Sequence, residues 1–440
     1  MQMRRLFMKK WLPVISWCFY DFANSAFTTL VVTFIFATYF TQAIAPENGT
    51  TYWSIGATVS AIIIALTSPF LGALADRGGY RRRYIIIFTL IAIVFTAALY
   101  FVMPGEVVLA LTLFIIANTT YEIAGVFYNA FLPEISPANR IGRISGYGWA
   151  MGYVGGLLAM FVAMAALINP ETPWFGISKE GDQHIRATNL LVAGWFLLFS
   201  LPMFLWVREK RVTPTAPPGQ ILSAGYQQLK QSFKEVRKYR EVVKFLLARL
   251  VYNDGLITVY AFGGIYAAGT FGFTMEEIMI FGVVLNITAG IGAFALGFLD
   301  DYLGGKRTIQ ISLMGLILAS FIAVLSPHKI GLWIAGILVG IFGGPNQSAS
   351  RSLLGRFTPA DKENEFYGFY AFSGKATAFL GPLMLGQLTY WTGSQRIGYS
   401  IVILNFLLGS IILHYVNEEE GKEVARQETE KNLLKGAPMS

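Results

Sequence analysis

Long apolar runs separated by short polar loops dominate the pattern of hydrophobic and polar positions along this chain. Each run is close to the length of about 20 residues that an α-helix needs to cross a bilayer. The pattern predicts an all-α membrane protein with twelve transmembrane helices in two six-helix, pseudo-symmetric bundles. The predicted spans are 15–43, 53–75, 84–103, 107–130, 143–168, 188–207, 242–268, 276–299, 307–326, 331–350, 366–391 and 397–416.

The polar stretches between and after the spans divide the chain. We expect an N-terminal six-helix bundle over 1–207, a cytoplasmic linker over 208–241, a C-terminal six-helix bundle over 242–416 and a disordered cytoplasmic tail over 417–440. Prolines mark the first part of the linker, and its second part has apolar residues at helical spacing between basic ones. That spacing predicts a basic amphipathic helix, for which a place on the membrane surface and a solvated linker are both open.

Composition and charge agree with the membrane class. Hydrophobic residues make up 54% of the chain and charged residues 14%, which is unlike a soluble globular protein. The net charge of +8 would fit nucleic acid, but the Lys and Arg residues fall in short loops, where they act as topology signals. Nucleic acid is therefore excluded as a partner. The loops that hold these cations place both termini in the cytoplasm, and a bacterial inner (plasma) membrane is the expected location.

Two basic loops half a chain apart carry the same pattern. The stretch 72–83 lies between the second and third predicted spans, and 297–308 lies between the eighth and ninth. A second echo joins 132–140 to 354–362. Two echoes in corresponding loops predict parallel six-helix repeats, with the solute bound near the midplane between them. The aligned positions of the first echo are Gly72 with Gly297, Leu74 with Leu299, Asp76 with Asp301, Arg81 with Lys306 and Arg82 with Arg307.

The first loop resembles the loop between helices two and three of the major facilitator superfamily of transporters, Gly-x-Leu-Ala-Asp-Arg-x-Gly-Arg-Arg. The match departs at Tyr80, where the family usually has a basic residue. The resemblance implies a cytoplasmic gate, with Asp76 at a helix N-terminus of the other half, where the helix dipole favours a carboxylate. A basic loop that only fixes topology is the alternative. The candidate gate residues are Gly72, Asp76, Arg77, Arg81, Arg82, Gly297, Asp301, Lys306 and Arg307.

Charged and amide side chains inside the predicted spans are candidates for substrate binding or ion coupling. A charge in hydrocarbon costs about 2.5–3.5 kcal/mol even on lenient scales, so it normally faces a cavity or a partner. In the superfamily that the chain resembles, spans one, four, seven and ten line the cavity, and most of these residues lie on those spans. Pairing of Arg249 with Asp254 or Glu122, only to hold helices together, is the alternative. The candidates are Asp21, Asn24, Asn118, Glu122, Arg249, Asn253, Asp254, Asn346 and Lys375.

Two further stretches narrow the resemblance. Tyr20-Asp-Phe-Ala-Asn-Ser-Ala-Phe27 and Phe372-Ser-Gly-Lys-Ala-Thr-Ala-Phe-Leu-Gly-Pro382 look like the vacuole effluxer branch of the superfamily. Fungal members of that branch are linked to release of amino acids from the vacuole. The resemblance therefore implies amino acid export.

The expected function is secondary active transport of a small solute by alternating access, driven by protons or another coupling ion. Glu122 is the first candidate proton carrier, because a partly dry cavity favours a neutral carboxyl group, and Asp254 and Asp21 follow. The sequence has no nucleotide-binding loop, metal-ligand cluster or nucleophile–base pair, so we expect neither an enzyme nor a cofactor or metal. The expected protein is a monomer in the lipid bilayer. The alternative is a transporter-like solute sensor without net flux.

Overall fold

The computed structural model of the chain describes residues 2–209, 220–235 and 237–436, and every regular element in these ranges is a helix. Short π-helical and 3₁₀ turns continue several of the α-helices. The first-half helices are α1 Gln2–Ala26, α2 Phe36–Tyr39, α3 Gly49–Gly78, α4 Arg81–Ala98, α5 Val107–Ala130, α6 Leu132–Ile135, α7 Ile141–Ala163 and α8 Gln183–Trp206. The others are α9 Ile221–Lys234, α10 Arg240–Phe271, α11 Met275–Leu303, α12 Gly305–Leu325, α13 Lys329–Phe357, α14 Glu363–Lys375, α15 Leu380–Thr392, α16 Gln395–Tyr399, α17 Ile401–His414 and α18 Glu418–Gly436.

Among the described residues, ten helical stretches are long and apolar enough to cross a membrane. The chain is therefore an all-helical, multi-pass membrane protein, as its apolar pattern predicts. The ten stretches are Trp11–Ile44, Gly49–Gly78, Arg81–Phe101, Val107–Ile135, Ile141–Ile168, Glu180–Trp206, Glu276–Leu303, Gly305–Leu325, Lys329–Phe357 and Gln395–His414.

Two of the twelve predicted spans are not among these ten. The span predicted at 242–268 corresponds to α10, in which Asn253 and Asp254 interrupt the apolar run. The span predicted at 366–391 is divided into α14 and α15, which have 13 residues each. A 13-residue helix is about 20 Å long, shorter than the hydrocarbon core of about 30 Å. The count of twelve thus stays a prediction.

The described residues form two compact units, and aromatic stacking fills part of the first. Trp17 stacks on Tyr128 with ring centroids 4.6 Å apart, and its Nε1–H donates to the Tyr128 carbonyl at 3.0 Å. Tyr20 stacks on the same ring at 4.7 Å. These contacts fasten α1 to α5 inside the unit. The unit comprises the described residues of Met1–Ile64, Tyr80–Tyr128 and Met151–Lys210.

The second unit contains a stripe of glycines on α13 that packs against α11. A Cβ atom at Gly340 would lie 1.9 Å from the Thr288 hydroxyl, and one at Gly344 would lie 2.4 Å from the Ala289 carbonyl oxygen. Such small residues let two membrane helices approach closely enough to gain van der Waals contact. The unit comprises the described residues of Ala65–Gly79, Asn129–Ala150 and Arg211–Ser440, so it includes two segments from the first half of the sequence.

The described part of the linker contains α9, where the amphipathic helix was expected; residues 210–219 and Val236 lie outside the described part. Leu222 and Tyr226, two of its apolar residues, are exposed. The side of α9 that carries small and polar residues packs against other helices instead. A Cβ atom at Gly225 would lie 3.2 Å from the Leu74 Cα atom, and Gln228 donates to Glu365 at 2.7 Å. That the exposed apolar side of α9 lies on the membrane surface stays a prediction.

The expectation of a disordered tail is wrong for residues 418–436, which form α18. Charges that suggested disorder pair along the helix, as Lys422 does with Glu418 at 2.8 Å. Glu418 also accepts hydrogen bonds from the backbone N–H groups of Gly305 at 3.2 Å and Lys306 at 2.9 Å, at the start of α12. Arg240 pairs with Glu420 at 2.6 Å. The tail is thus docked on the second unit by specific contacts; residues 437–440 lie outside the described part.

The Glu418 contact predicts a pH-dependent contribution to stability. Burial raises the pKa of this carboxyl group, but hydrogen bonds from Lys422 and the Lys306 backbone outweigh it, so the net pKa is lowered. Glu418→Gln should lower the free energy of unfolding by about 1.5–3 kcal/mol near neutral pH, because it removes charge-assisted hydrogen bonds. The difference from the wild type should persist above the ordinary glutamate pKa of about 4.3 and vanish as pH falls through the lowered pKa. Thermal unfolding of the purified protein at a series of pH values measures both effects.

Glu423→Gln is the matched control, because Glu423 lies on the same helix and pairs with Arg426 of that helix. Equal stability losses in the two variants, or a Glu418→Gln loss that does not depend on pH, would contradict the proposed contribution.

Candidate functional site

Asp301, near the end of α11, binds the start of α7. Its carboxylate accepts hydrogen bonds from the backbone N–H groups of Gly142 at 2.8 Å and Arg143 at 3.3 Å. The Arg143 Nε–H also donates to it at 2.5 Å. The first N–H groups of a helix have no partner within the helix, and the helix dipole favours an anion there. One carboxylate thus satisfies two backbone donors and meets a guanidinium.

Asp76, near the end of α3, makes the equivalent contact with α14. It accepts from the backbone N–H of Asn364 at 3.1 Å, from its side-chain Nδ2 at 2.6 Å, and from the backbone N–H of Glu365 at 2.9 Å. Gly72 lies one turn earlier, and a Cβ atom there would be only 2.2 Å from the Asn364 carbonyl oxygen. The glycine and the aspartate of the repeated loop therefore act on the same helix start. Asp76 lies at a helix N-terminus, where the loop resemblance placed it.

The two sequence echoes meet at these contacts. In the second echo, positions 142 and 143 correspond to 364 and 365, with the same offset that relates Arg140 to Lys362. The carboxylates of the first echo bind these backbone N–H groups in register. Four segments that are separate along the chain thus form one repeated contact. The agreement in register makes a chance resemblance of either loop a poor explanation.

Two further carboxylates bind helix starts, and sequence reasoning missed both as site residues. Glu209 accepts from the backbone N–H groups of Arg81 at 3.0 Å and Arg82 at 3.2 Å, at the start of α4. Glu418 does the same at the start of α12. Each follows the last long apolar helix of its half, in Val207-Arg-Glu209 and Val416-Asn-Glu418. The repeat itself was the signal that could have found them.

Two of the loop cations bind carbonyl groups at the C-terminal ends of helices. Arg82 Nη2 donates to the Phe204 carbonyl near the end of α8, and Lys306 Nζ donates to the His414 carbonyl at the end of α17 at 2.8 Å. Arg82 is thus the structural equivalent of Lys306, whereas the sequence alignment of the two loops matched Arg81 with Lys306. The first loop is one residue longer, and Tyr80 is the extra residue. Arg77 is half-buried and Arg307 is exposed.

Asp300, the neighbour of Asp301, binds a buried arginine. Arg356 Nη1 donates to the Asp300 carboxylate at 2.6 Å, and its Nη2 lies 3.7 Å from Asp301. Ser352 also donates to Asp300. Gly142 leaves room for this pair, because a Cβ atom there would lie 2.6 Å from the Asp300 carboxylate. A cation on α13 thus balances two adjacent carboxylates.

Arg351 is a second buried arginine on α13 that sequence reasoning missed. It donates to the Ser145 hydroxyl at 2.9 Å and to the Ser145 carbonyl at 2.7 Å, and its Nη1 lies 3.3 Å from Asn129 Oδ1. The guanidinium carbon is 5.6 Å from the Trp149 ring centroid. The predicted tenth span ended at 350, so Arg351 counted as a loop residue. The helix continues to Phe357 and carries this cation into the packed interior.

The polar candidates of the first unit lie near Tyr121. Thr28, Asp21 and Glu122 are all close enough to act on its hydroxyl group electrostatically. Asp21 and Glu122 are both half-buried. Asn24 is buried, whereas Asn118 donates to the Ser60 hydroxyl at 2.7 Å and so joins α5 to α3. Asp21 and Glu122 therefore belong to one cluster, whereas the described hydrogen bond of Asn118 links two helices.

Arg249 and Asn253 of the second unit both bind the end of α14. Arg249 Nη1 donates to the Tyr370 carbonyl and to the Ser373 hydroxyl, each at 2.8 Å. Asn253 Nδ2 donates to the Gly374 carbonyl at 3.2 Å, beside Lys375, the last residue of α14. Arg249 makes no ion pair with Asp254 in the described structure, so the alternative of an Arg249–Asp254 pair is wrong.

Two of the remaining candidates keep polar atoms without partners. Asp254 Oδ1 and Asn346 Nδ2 have no hydrogen-bond partner in the described part of the chain, although both residues are buried. A buried, unsatisfied polar group is costly, so such atoms call for a ligand, a proton or water. They lie on α10 and α13 of the second unit.

Comparisons with known proteins agree on one family and one fold. The model of the vacuole effluxer Atg22 like family matches residues 50–426. YxiO of Bacillus subtilis, named as an uncharacterised MFS-type transporter, is 27% identical over 424 residues, which cover 95% of this chain and 98% of YxiO. Autophagy-related protein 22 of Coccidioides immitis is 23% identical over 450 residues, covering 84% and 73% of the two chains. The solved proton:xylose symporter XylE shares the fold, with a TM-score of 0.74 at 14% identity, covering 96% of this chain and 98% of XylE.

Gly72→Ala tests the close approach of α3 to the start of α14. The added Cβ would be 2.2 Å from the Asn364 carbonyl oxygen, so the helices must separate and the Asp76 hydrogen bonds must weaken. We expect a loss of about 1–3 kcal/mol in unfolding free energy, as for other overpacked sites. Thermal unfolding in detergent measures it.

Gly263→Ala is the matched control, because a Cβ atom there meets nothing within 4 Å. A Gly72→Ala protein as stable as the control would contradict the close contact.

Proposed function

The chain belongs to the vacuole effluxer Atg22-like family, and we propose that it is a twelve-span secondary active transporter that moves a small solute by alternating access. The observation that carries the proposal is the repeated contact of Asp76 and Asp301 with the N-termini of α14 and α7. Such contacts are individually modest and can be made and broken, which suits a gate. In this proposal they hold the predicted cytoplasmic side shut and the halves 1–207 and 242–416 rock against each other.

The proposed direction of transport, substrate class and coupling ion rest on similarity to known proteins. The family description names an effluxer, which supports export, and amino acids follow from the resemblance of the chain to that branch. XylE and FucP, which share the fold, are proton symporters, and this supports a proton as the coupling ion. We place the protein as a monomer in a bacterial inner membrane with both termini in the cytoplasm.

Counterflow in proteoliposomes tests the transport function directly. Liposomes are loaded with unlabelled amino acids in pools by side-chain class, and uptake of labelled tracer is followed without any gradient. Counterflow requires a carrier but no driving force. Saturable exchange with one pool would support transport and identify the substrate class. No exchange from folded protein would remove the amino acid assignment and favour the sensor alternative.

Glu122→Gln tests the proposed proton carrier. Glu122 lies in the half-buried cluster around Tyr121, and glutamine has nearly the same shape but no titrating proton. We expect the variant to lose accumulation driven by a pH gradient while it keeps counterflow exchange. Both rates are measured in the same proteoliposomes. Glu106→Gln, at an exposed carboxylate before α5, should leave both rates unchanged. Unchanged accumulation by Glu122→Gln would rule out Glu122.

Asp76→Asn tests the gate. Loss of the charge should weaken the contact with α14 by roughly 1.4 kcal/mol, which corresponds to about a tenfold change in the gate equilibrium. We expect turnover to fall about tenfold with little change in substrate affinity, and Asp301→Asn to behave alike. Initial exchange rates and equilibrium binding separate the two quantities. Asp361→Asn, at an exposed residue before α14, is the control. Loss of affinity at unchanged turnover would argue against a gate.

A further inference from the structure

The helix predicted over 366–391 is interrupted, and the interruption has oppositely charged residues of α10 at its two ends. α14 ends at Lys375 and α15 begins at Leu380. The four residues between them form turns, in which Ala378 N–H donates to the Lys375 carbonyl at 3.3 Å. A broken helix inside a membrane protein frees carbonyl groups at one end and N–H groups at the other. Such breaks are tolerated where they are buried in protein or line a cavity.

Arg249 lies at the carbonyl end of the interruption. Its guanidinium carbon is 3.5 Å from the Tyr370 ring centroid, and a Cβ atom at Gly374 would be 2.9 Å from its Nη1 atom. The glycine therefore lets the guanidinium lie flat against α14. Both described hydrogen bonds of Arg249 use Nη1. Its Nε–H and Nη2–H groups make no hydrogen bond in the described structure, and this parallel pair is the geometry that binds a carboxylate with two hydrogen bonds.

Asp254 lies at the N-terminal end of α15. A Cβ atom at Gly381 would be 3.0 Å from its Oδ2 atom, so the carboxylate touches the first turn of that helix. The residue is 6% exposed, and no described residue donates a hydrogen bond to its Oδ1 atom. The dipole of α15 favours the negative charge. It does not satisfy the second oxygen, which remains an acceptor for a positively charged group.

Arg249 suits the carbonyl end of α14 and Asp254 suits the N-terminal end of α15, which explains why a cation and an anion occur here. These contacts use only Nη1 of Arg249 and Oδ2 of Asp254. They leave the Nε–H and Nη2–H donors of Arg249 and the Oδ1 acceptor of Asp254 for a ligand. Arg249 and Asp254 are five positions apart on α10, which is about 7.5 Å along the helix axis. A small solute with a carboxylate near an ammonium group, plus one hydrogen bond at each end, spans a distance of this order.

We propose that the interruption between α14 and α15 is a two-pole binding site for a small zwitterion. The Nε–Nη2 side of Arg249 binds its carboxylate, and Asp254 Oδ1 binds its ammonium group. A solute that lacks either charge leaves a buried ion without its counter-charge and is rejected. This assignment deepens the proposed transport function and rests on it for the route by which the solute reaches the site.

Blocked amino acids test the two poles separately. Counterflow of a labelled amino acid pool is competed with the free pool, with the corresponding amino acid amides, which lack the carboxylate, and with the N-acetyl derivatives, which lack the ammonium group. The wild type should prefer the free pool to both. Arg249→Gln should reduce the preference over amides at least about tenfold and leave the preference over N-acetyl derivatives intact. Asp254→Asn should do the reverse.

Arg396→Gln is the matched control. Arg396 also donates Nη1 to backbone carbonyls and lies over an aromatic ring, at the opposite end of the unit's helices. It should change neither preference. Equal weakening of all three pools by Arg249→Gln and Asp254→Asn, or unchanged preferences, would overturn the two-pole site. Arg249→Lys, which keeps the charge, should retain most of the preference over amides.

Ligand-dependent thermal stabilisation in detergent separates failure of the site from failure of transport. If the wild type shows no counterflow but the free pool raises its unfolding temperature more than the blocked pools do, the site stands and the transport proposal falls. If exchange occurs without the crossed pattern, the site falls and transport stands. If no pool stabilises the folded protein and none is exchanged, both are overturned.

Discussion

A carboxylate bound to the unpaired N–H groups at a helix start is the interaction on which this structure depends. Asp76, Asp301, Glu209 and Glu418 each make it, at the starts of α14, α7, α4 and α12. The first turn of a helix leaves donors that cost free energy when they are buried without an acceptor, and an aspartate or glutamate satisfies two at once. Each contact is worth only about 1–3 kcal/mol. A structure held in this way is ordered, yet it can exchange one arrangement for another.

The sequence predicted the membrane class, and the resemblance of its first basic loop to the superfamily implied a helix N-terminus as the partner of Asp76. Length and apolarity identify most helices because hydrocarbon thickness sets their length, and the repeated loop places Asp76 and Asp301 in equivalent positions. Glu209 and Glu418 were missed because each lies at a polar boundary, where a charge normally indicates solvent. The charged composition of the tail predicted disorder. In the structure, ion pairs between residues four positions apart and the contact of Glu418 with the start of α12 stabilise a helix there.

The hydrophobic pattern did not predict where helices end or where one helix is interrupted. The segment Ala376-Thr-Ala-Phe379 is as compatible with a helix as its neighbours. Its departure from helical form is accompanied by contacts with α10, since Arg249 and Asp254 touch the flanking helices and Thr377 donates to the Leu250 carbonyl at 3.3 Å. Arg351 was missed for the converse reason, because a basic residue after an apolar run indicates a loop although α13 continues to Phe357. Contacts with residues distant in sequence accompany both the interruption after α14 and the continuation of α13. A local hydrophobic pattern contains no information about such contacts.

Four donors in the repeated contact are peptide groups, and the side chains of Arg143 and Asn364 each add one more. Any residue except proline supplies the same N–H at positions 142, 143, 364 and 365. A substitution at 143 or 364 keeps the peptide donor and removes one side-chain donor, whereas Gly142 has no room for a Cβ atom beside Asp300. The acceptor side depends on a carboxylate at 76 and 301. The peptide donors thus persist through most changes of side chain at 143, 364 and 365, whereas the acceptors are lost with a single change at 76 or 301.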